Sequence, residues 1–416
     1  MLNAATRSLP LTGIKVLELC QTIMGPSCGM TLADLGADVV KVEPSPDGDK
    51  TRRLGGFGAG FFSYFNRNKR SIALDLKNPG GRAVFDRMVA ASDVLIENFA
   101  PETMERLGCG YEVLRKVNPR LIYCSMKGFL SGPYERRPAL DEIVQYMSGL
   151  AYMTGPPGQP LRAGSSIVDI LGGVFGVVGI LAALRERDQT GEGQFVKSAL
   201  FEASALLMAQ HMCGEVVTGK PAPPMPARIS PWAIYEAFPT SDGPLIFIGI
   251  TSDNHWQRFC NAFNRKELLA DRRVTTNELR VAARDWLRPL VGAIIKDYPL
   301  AEVCRICAAE GIPFSPVSKP GDLFEDPQLN ANGRMLEIRM PDGKMAKLPP
   351  LPIEIGGHKL GVRHQPPKFG EHTAELLGEF GFSGGEIARL ERDGVVARPQ
   401  QPAKWGDPDP AAQGGA

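Results

Sequence analysis

Asp169 is the residue of this 416-residue chain whose surroundings most clearly suggest covalent chemistry. It stands in AGSSIVDILGGVFGVVGILAAL (163–184), where a loop of small residues leads into a helical pattern with no charge from Ile170 to Leu184. An acid at a helix start is most often a cap for the free backbone N–H groups. A carboxylate kept ionised there by the helix dipole is also available as a nucleophile or base. The residues alone favour the cap and leave the second role open.

Lys77 is a second candidate. It directly precedes Asn78 and Pro79, an N-cap residue followed by proline at the first helical position. A cation and free backbone N–H groups therefore converge, which suits a phosphate. A solvated lysine at a strand exit is an equally good explanation from spacing alone.

Other common catalytic motifs are missing from the sequence. The first strand–helix turn has only Gly25 and Gly29, so it lacks the GxGxxG fingerprint of dinucleotide-binding proteins. No GxSxG elbow, Walker A motif or HExxH motif is found. Cys304 and Cys307 form a CxxC pair within a helical pattern, without a second pair or a nearby His, which favours core packing over a metal site.

Composition narrows the possible partners. A net charge of +1 gives no electrostatic case for nucleic acid or an acidic membrane surface. The eight scattered cysteines indicate reduced thiols in the cytoplasm. The apolar run after Asp169 is shorter than the ~20 residues of a membrane span. These features predict a cytoplasmic enzyme or binding protein without a membrane segment.

The pattern of elements predicts an α/β fold. Strand-like stretches at 14–19, 37–43, 92–99 and 120–129 alternate with helical ones, which is typical of a parallel sheet covered on both faces. A smaller α+β domain is predicted at 225–325, opening with a hairpin that turns at 241–243. The polar, Pro- and Gly-rich end of the chain, 391–416, is predicted to be disordered.

Several stretches in order resemble the class III CoA-transferases, the formyl-CoA and carnitine CoA-transferase family of CaiB/BaiF type. They are LTGIKVLEL, GPSCGMTLADLGADVVKVE, NRNKRSIALDLKNPGG, DVLIENFAPETMERLG, SMKGFLSGPYERRP, SGLAYMTG, VDILGG, GILAALRER, TGEGQFV, ISPWAIYEAFPTSDG and GEHTAELL. The resemblance runs from about residue 10 to 385. It implies a large Rossmann-like domain built from 10–218 and 330–390, a small domain between them, and a homodimer of interlocked rings.

The resemblance also implies roles for particular residues. Asp169 matches the family's nucleophile, which carries first an acyl anhydride and then a CoA thioester. Glu142 corresponds to a supporting carboxylate. Thioester is exchanged for thioester, so CoA is a substrate and no permanent cofactor or metal is implied. The family's CoA contacts fall on Ile23, Met24, Leu74, Asp75, Leu76, Lys77, Asn98, Phe99, Ala100 and Arg106.

Two positions depart from the family pattern. An arginine that some members place after the second strand is Pro44 here. The glycine-rich loop that covers the intermediates in formyl-CoA transferase has no clear equivalent before GITSDNHWQRFC.

Two alternatives remain. The related 2-methylacyl-CoA racemases need a histidine as second acid/base group, and Leu140 stands in its place. A non-catalytic CoA-binding protein of the same fold would use Asp169 only as a cap.

For the transferase, the resemblance is greatest to members acting on succinate, glutarate or mesaconate. Arg162 and Arg228 could each receive the second carboxylate of such a dicarboxylic acid by bidentate pairing. The expected partners are thus acyl-CoA and small carboxylic acids.

Overall fold

The computed structural model describes residues 8–228 and 230–397. The chain divides into two compact units. One comprises the described residues up to Pro226 together with those from Ala331 onward, and the other comprises Ala227–Asn330. The small unit thus occupies nearly the same residues as the α+β domain expected at 225–325.

The large unit contains a seven-stranded sheet among the described residues. Six of its strands run parallel, and their order in space is β3-β2-β1-β4-β5-β6. The first five of these are buried on both faces and rich in Val, Ile and Leu, as parallel strands covered by helices require. The predicted parallel α/β sheet is therefore confirmed. The strands are β1 (Lys15–Leu19), β2 (Asp38–Pro44), β3 (Lys69–Leu74), β4 (Val94–Glu97), β5 (Ile122–Lys127) and β6 (Phe195–Ala199).

Helices cover both faces of this sheet, and the two largest hydrophobic clusters of the large unit lie between the helices and the sheet. One cluster includes Cys28, Ile96 and Ile180, and the other includes Leu17 and Phe85. The helices are α1 (Met24–Asp34), α2 (Phe61–Phe65), α3 (Pro79–Ala90), α4 (Thr103–Arg106), α5 (Tyr111–Val117), α6 (Asp141–Met147), α7 (Leu150–Thr154), α8 (Ile167–Thr190) and α9 (Leu200–Thr218).

The small unit begins with the predicted hairpin. Its strands pair antiparallel around the turn at Thr240–Pro244, as expected from the Ser-Asp-Gly signal. Cys307 is buried in the core of this unit and Cys304 packs against it, in agreement with the packing interpretation of the CxxC pair. The elements are β7 (Ile234–Pro239), β8 (Leu245–Ile250), α10 (Asp253–Ala262), α11 (Lys266–Ala270), α12 (Asn277–Ala282), α13 (Arg284–Lys296), α14 (Leu300–Glu310), β9 (Phe314–Pro316) and α15 (Pro327–Asn330).

The chain then returns to the large unit. Leu376 and Leu377 of the returning segment are fully buried in the cluster of Leu17 and Phe85. Its elements are β10 (Leu336–Arg339), β11 (Met345–Leu348), α16 (Thr373–Glu379), α17 (Gly384–Arg392) and β12 (Val396–Ala397).

The disordered tail predicted at 391–416 begins too early. Helix α17 continues to Arg392, and Val396–Ala397 pairs antiparallel with Ala73–Leu74 at the edge of the sheet. Burial of Val395 and Val396 explains why this segment is ordered despite the polar composition around it. Residues 398–416, the rest of the predicted tail, lie outside the described residues.

Helix α8 carries Asp169 in its first turn. It is the one helix among the described residues that is long and apolar enough to cross a membrane, with a mean hydropathy of 2.4. Its glycines lie against α1 and β6, because there is no side chain to keep the neighbours apart. A Cβ on Gly172 would come within 2.6 Å of Met24 Cε, and one on Gly179 within 2.6 Å of Val196 Cγ1. These glycines therefore allow the side chains of α1 and β6 to pack directly against the backbone of α8.

Candidate active site

The backbone at the start of α8 is capped by Asp141, not by Asp169. Oδ2 of Asp141 accepts hydrogen bonds from the backbone N–H groups of Val168 (2.9 Å) and Asp169 (3.2 Å). Ser166, the N-cap residue, makes no side-chain capping bond. No hydrogen bond to the Asp169 carboxylate is found within the described residues. The cap that the sequence favoured for Asp169 is thus supplied by another acid, Asp141.

The surroundings of Asp169 disfavour its charge. Burial raises the pKa of the carboxyl, the negative charge of Asp141 raises it further, and Arg162 lowers it, so that the pKa is about 7 instead of 3.8. Burial and the charge of Asp141 thus act against the ionised form of Asp169 that was expected from the helix dipole. A carboxylate with a pKa near neutrality is more basic than an ordinary aspartate, and it is still ionised in about half of the molecules at pH 7.

Asp141 is itself held in place by a buried amide. Its Oδ1 accepts a hydrogen bond from Nε2 of Gln145 (2.5 Å), and Oε1 of Gln145 accepts one from the backbone N–H of Ala163 (2.9 Å). Gln145 is fully buried and Asp141 nearly so. One turn of α6 therefore connects the loop before α8 to the acid that caps it.

Glu142, the residue expected as a supporting carboxylate, comes directly after Asp141 at the start of α6. The Glu142 side chain is 58% exposed and pairs with Arg162, whereas Asp141 points under the start of α8. The sequence missed Asp141 because two adjacent acids open α6 and only the fold shows which one faces inward. One signal for Asp141 was available: it is the first residue of α6 and follows an N-cap residue in an extended conformation.

Arg162 braces the same loop. Its Nε donates to the backbone carbonyl of Ala163, Nη1 to Glu142 (2.9 Å) and Nη2 to the carbonyl of Ser165 (3.0 Å). Nη2 also lies 3.7 Å from Oδ1 of Asp141. All three guanidinium nitrogens are thus engaged, and only the bond to the exposed Glu142 is an easily broken surface pair.

The predicted CoA contacts lie at the carboxyl end of the parallel strands. Strands β1, β3 and β4 end at Leu19, Leu74 and Glu97, so the loops that follow them emerge at one edge of the sheet. The predicted residues on these loops are Ile23 and Met24 after β1, Leu74, Asp75, Leu76 and Lys77 at the end of β3, and Asn98, Phe99 and Ala100 after β4. Three of the four predicted groups of CoA contacts thus lie at this edge of the sheet, and the fourth is Arg106.

Two of these loops are joined directly. Asn98 Oδ1 accepts from the backbone N–H of Gln21 (2.9 Å), and Asn98 Nδ2 donates to the carbonyl of Gln21 (2.8 Å). Lys127 donates to Oε2 of Glu97 (2.6 Å) and to the carbonyl of Phe99 (2.7 Å). Glu97 and Lys127 were missed by the sequence analysis, since they are brought together only by the pairing of β4 with β5.

Lys77, the predicted phosphate partner, and Arg106, the last of the predicted CoA contacts, are both solvent-exposed. Lys77 precedes α3, whose N-cap Asn78 accepts a hydrogen bond from the N–H of Gly80 and whose first residue is Pro79, as predicted. Arg106 is exposed on α4, and its Nη2 donates to Thr103 Oγ1. An extended lysine or arginine in water is free to swing toward an anionic ligand.

Of the two predicted carboxylate receptors, Arg162 belongs to the same unit as Asp169, and its charge lowers the pKa of that carboxyl. Arg228 is exposed and belongs to the small unit. No group of three or more His, Cys, Asp or Glu residues within 8–228 and 230–397 is arranged to hold a metal ion.

The match to known families covers the same residues. Residues 11–373 match the model of CoA-transferase family III, and the chain belongs to that family. The protein is an enzyme of this class. A curated relative, the succinate–glutarate CoA-transferase of Agrobacterium fabrum, is 36% identical over 91% of this chain and 98% of its own length. The acetyl-CoA:oxalate CoA-transferase of Acetobacter aceti is 38% identical over 89% of this chain and 96% of its own.

A solved structure has the same fold. The crystal structure of a CaiB/BaiF family protein from Brucella suis superimposes with a TM-score of 0.82 at 35% sequence identity, covering 90% of this chain and all of that one. The predicted family and its α/β fold are therefore confirmed.

Proposed function

We propose that the protein transfers CoA from an acyl-CoA donor, succinyl-CoA in the first instance, to a dicarboxylic acid of four or five carbons. The observation that carries the proposal is the Asp169 carboxylate at the start of an apolar helix. It accepts no hydrogen bond from the residues that the structure describes, and another acid, Asp141, caps the helix. The succinate–glutarate relative supports the choice of substrates, and the oxalate relative supports dicarboxylic acids as a class.

The reaction proceeds through two covalent states of Asp169. One carboxylate oxygen attacks the thioester carbonyl carbon of the donor, the C–S bond breaks, and CoA leaves as a thiolate. The thiolate attacks the Asp169 carbonyl of the resulting anhydride and releases the donor acid. The enzyme then holds CoA as an aspartyl thioester.

The second half repeats these steps in reverse order. The acceptor carboxylate attacks the aspartyl thioester, which forms a new anhydride and frees the CoA thiolate. The thiolate attacks the acyl carbon of the acceptor, so the new acyl-CoA leaves and the Asp169 carboxylate returns. Every step exchanges one acyl bond for another, so the reaction needs no ATP.

The neighbours of Asp169 have distinct tasks in this scheme. Asp141 holds the first turn of α8 and raises the pKa of the nucleophile, which makes its oxygen more reactive when ionised. Arg162 lowers that pKa and keeps part of the enzyme in the ionised form. Ile23, Met24, Lys77 and Arg106, with the other residues at the carboxyl edge of the sheet, bind CoA.

We assign the distal carboxylate of the acceptor to Arg162. Glu142, half exposed, occupies Nη1 of this arginine and can be displaced by a substrate carboxylate at little cost. Replacing Arg162 by Met should then lower kcat/KM for a dicarboxylic acceptor more than for a monocarboxylic acid of the same length. Arg228 is the alternative receptor, and Arg228→Met is the matched variant.

The test of the nucleophile is chemical trapping. Incubation with succinyl-CoA and hydroxylamine should inactivate the enzyme, and mass spectrometry should find the hydroxamate on Asp169. Asp169→Asn should be inactive and unmodified. An enzyme that remains active in hydroxylamine during turnover would contradict the proposal, and so would a label on any other residue.

The acceptor is identified with a panel of acids. Oxalate, malonate, succinate, glutarate, mesaconate and acetate are each offered with succinyl-CoA, and the CoA products are separated by mass spectrometry. A 2-methylacyl-CoA racemase would instead exchange its α-proton in deuterated water. That reaction is disfavoured because Leu140, at the position of the second acid/base group, carries no proton to move.

We further propose that the enzyme is a cytoplasmic homodimer of the interlocked type. Its eight free cysteines suit a reducing compartment. Helices α8 and α9 expose apolar side chains, among them Val178 (54%) and Val216 (84%), and an apolar area of this kind is typical of a surface covered by another chain. Light scattering should give twice the chain mass of 45.1 kDa.

A further inference from the structure

The loop between β1 and α1 contains a strained backbone. Thr22 has a φ of 67°, in the left-handed region. A β-branched residue rarely adopts this conformation, because its side chain crowds the backbone there. Such a conformation persists only where the surroundings fix it, and it is found most often beside functional sites.

A buried hydrogen-bonded chain fixes this backbone. The N–H of Thr22 donates to Oγ1 of Thr51 (2.8 Å), and the Thr51 hydroxyl donates to Oδ1 of Asp49 (2.6 Å). Oδ2 of Asp49 lies 2.9 Å from Nζ of Lys41, which also donates to the carbonyl of Cys20 (2.7 Å). Thr51, Asp49 and Lys41 are all buried.

Asp49 keeps its negative charge in this hydrogen-bonded network. Burial raises the pKa of the Asp49 carboxyl, but the charge of Lys41 and the hydrogen bonds from Thr51 outweigh it, so that the pKa is lowered. Asp49 is therefore ionised at neutral pH. It accepts the Thr51 hydroxyl proton, which leaves an Oγ1 lone pair for the N–H of Thr22.

The strained loop leads directly into the active site. Met24, two residues after Thr22, begins α1 and packs against the helix of Asp169. A Cβ at Gly172 would lie 2.6 Å from Met24 Cε, and one at Gly173 would lie 2.7 Å from the Met24 carbonyl oxygen. A change in the backbone at Thr22 therefore moves α1 relative to the turn that carries the nucleophile.

We propose that Asp49 and Thr51 are positioning residues, which hold Thr22 in its left-handed conformation and thereby set Ile23 and Met24 at the distance from Asp169 that the CoA thioester requires. The inference rests on the proposed function, in which Ile23 and Met24 contact CoA. Neither Asp49 nor Thr51 touches the reacting atoms in this account.

The decisive variant is Thr51→Val, which keeps the shape of the side chain and removes the hydroxyl. We expect kcat/KM for succinyl-CoA to fall about 10-fold or more, because a small displacement of a positioned group is costly to catalysis. Thr51→Ser, which restores the hydroxyl, should keep most of the activity. Thr22→Gly combined with Thr51→Val should regain most of the loss, since glycine adopts the left-handed conformation without strain.

Thr240→Val is the matched control. Thr240 is a buried threonine of the small unit whose hydroxyl donates to Asp242 (2.7 Å), so the control removes the same kind of bond far along the chain. It should lower the melting temperature about as much as Thr51→Val and leave kcat/KM near the native value. Equal loss of kcat/KM in both variants would overturn the inference. Failure of the glycine variant to restore Thr51→Val would also overturn it.

The dissociation constant of CoA, measured by calorimetry, separates this inference from the proposed function. If the native enzyme transfers CoA to none of the acids, the proposed function fails. Weaker CoA binding by Thr51→Val, restored by glycine at position 22, then still supports the positioning role. Unchanged CoA binding in that variant, or no CoA binding by the native protein, refutes it.

Discussion

Replacing Asp169 by Asn removes a carboxylate from the active site and nearly preserves the shape of the side chain. We expect the variant to be more stable than the native protein above pH 7, although it is inactive. The reason is that folding raises the pKa of the carboxyl from 3.8 to about 7, through burial and the charge of Asp141. A folded state that binds a proton more tightly than the unfolded chain loses stability as that proton dissociates.

The size and the pH range of the effect follow from the pKa. The difference corresponds to about 4 kcal/mol, and screening of this partly exposed side chain reduces it to about 2 kcal/mol. Asp169 costs no stability below its unfolded pKa of 3.8. The cost grows as the pH rises and is complete above the folded pKa of about 7. The asparagine variant should therefore melt about 2 °C above the native protein at pH 8 and approach it at pH 4.5.

Thermal unfolding followed by circular dichroism at pH 4.5, 6 and 8 measures this difference. Asp188→Asn, at an exposed acid near the far end of the same helix, is the control and should follow the native protein at each pH. The reasoning would be refuted by an Asp169→Asn variant that is no more stable than the native protein at pH 8. A stability difference that does not change with pH would refute it as well.

Three further outcomes concern the same helix. Because the nucleophile must be ionised, kcat/KM should fall tenfold per pH unit below about pH 7, as read from initial rates across pH 5–9. Asp141→Asn should move the midpoint of this acid limb to lower pH, because it removes a charge that raises the Asp169 pKa. Arg162→Met should move the midpoint to higher pH, because it removes a charge that lowers that pKa. Gly173→Ala should lower the free energy of unfolding by about 1–3 kcal/mol, because its Cβ would lie 2.7 Å from a backbone carbonyl. Gly378→Ala in α16, where a Cβ would have no neighbour within 4 Å, should raise it by about 0.5–1 kcal/mol in urea titrations.

Local patterns in the sequence predicted the alternation of strands and helices in the first part of the large unit and the hairpin of the small unit. They also placed Asp169 at a helix start and Asn78 at the N-cap of α3, because these features depend on neighbours within a few residues. The family resemblance was needed to favour a nucleophile over a cap.

What the sequence left out depends on contacts between distant segments. Asp141 caps a helix that begins 26 residues later, which neither local spacing nor composition shows. Lys41 and Asp49 are charged residues that a sequence analysis assigns to the surface, and they are buried as an ion pair with each other. Val396 joins the sheet because Leu74 offers it a free edge.

The antiparallel edge strand β12 has a consequence for how the protein is made. A ribosome delivers the chain from its amino end, so β1–β6 emerge long before α16, α17 and β12. Until then Phe85 and its neighbours lack the leucines of α16 that bury them. The small unit, Ala227–Asn330, is continuous in the chain and is complete earlier in synthesis. The large unit is thus completed last, by α16, α17 and β12, which are translated after the whole of the small unit.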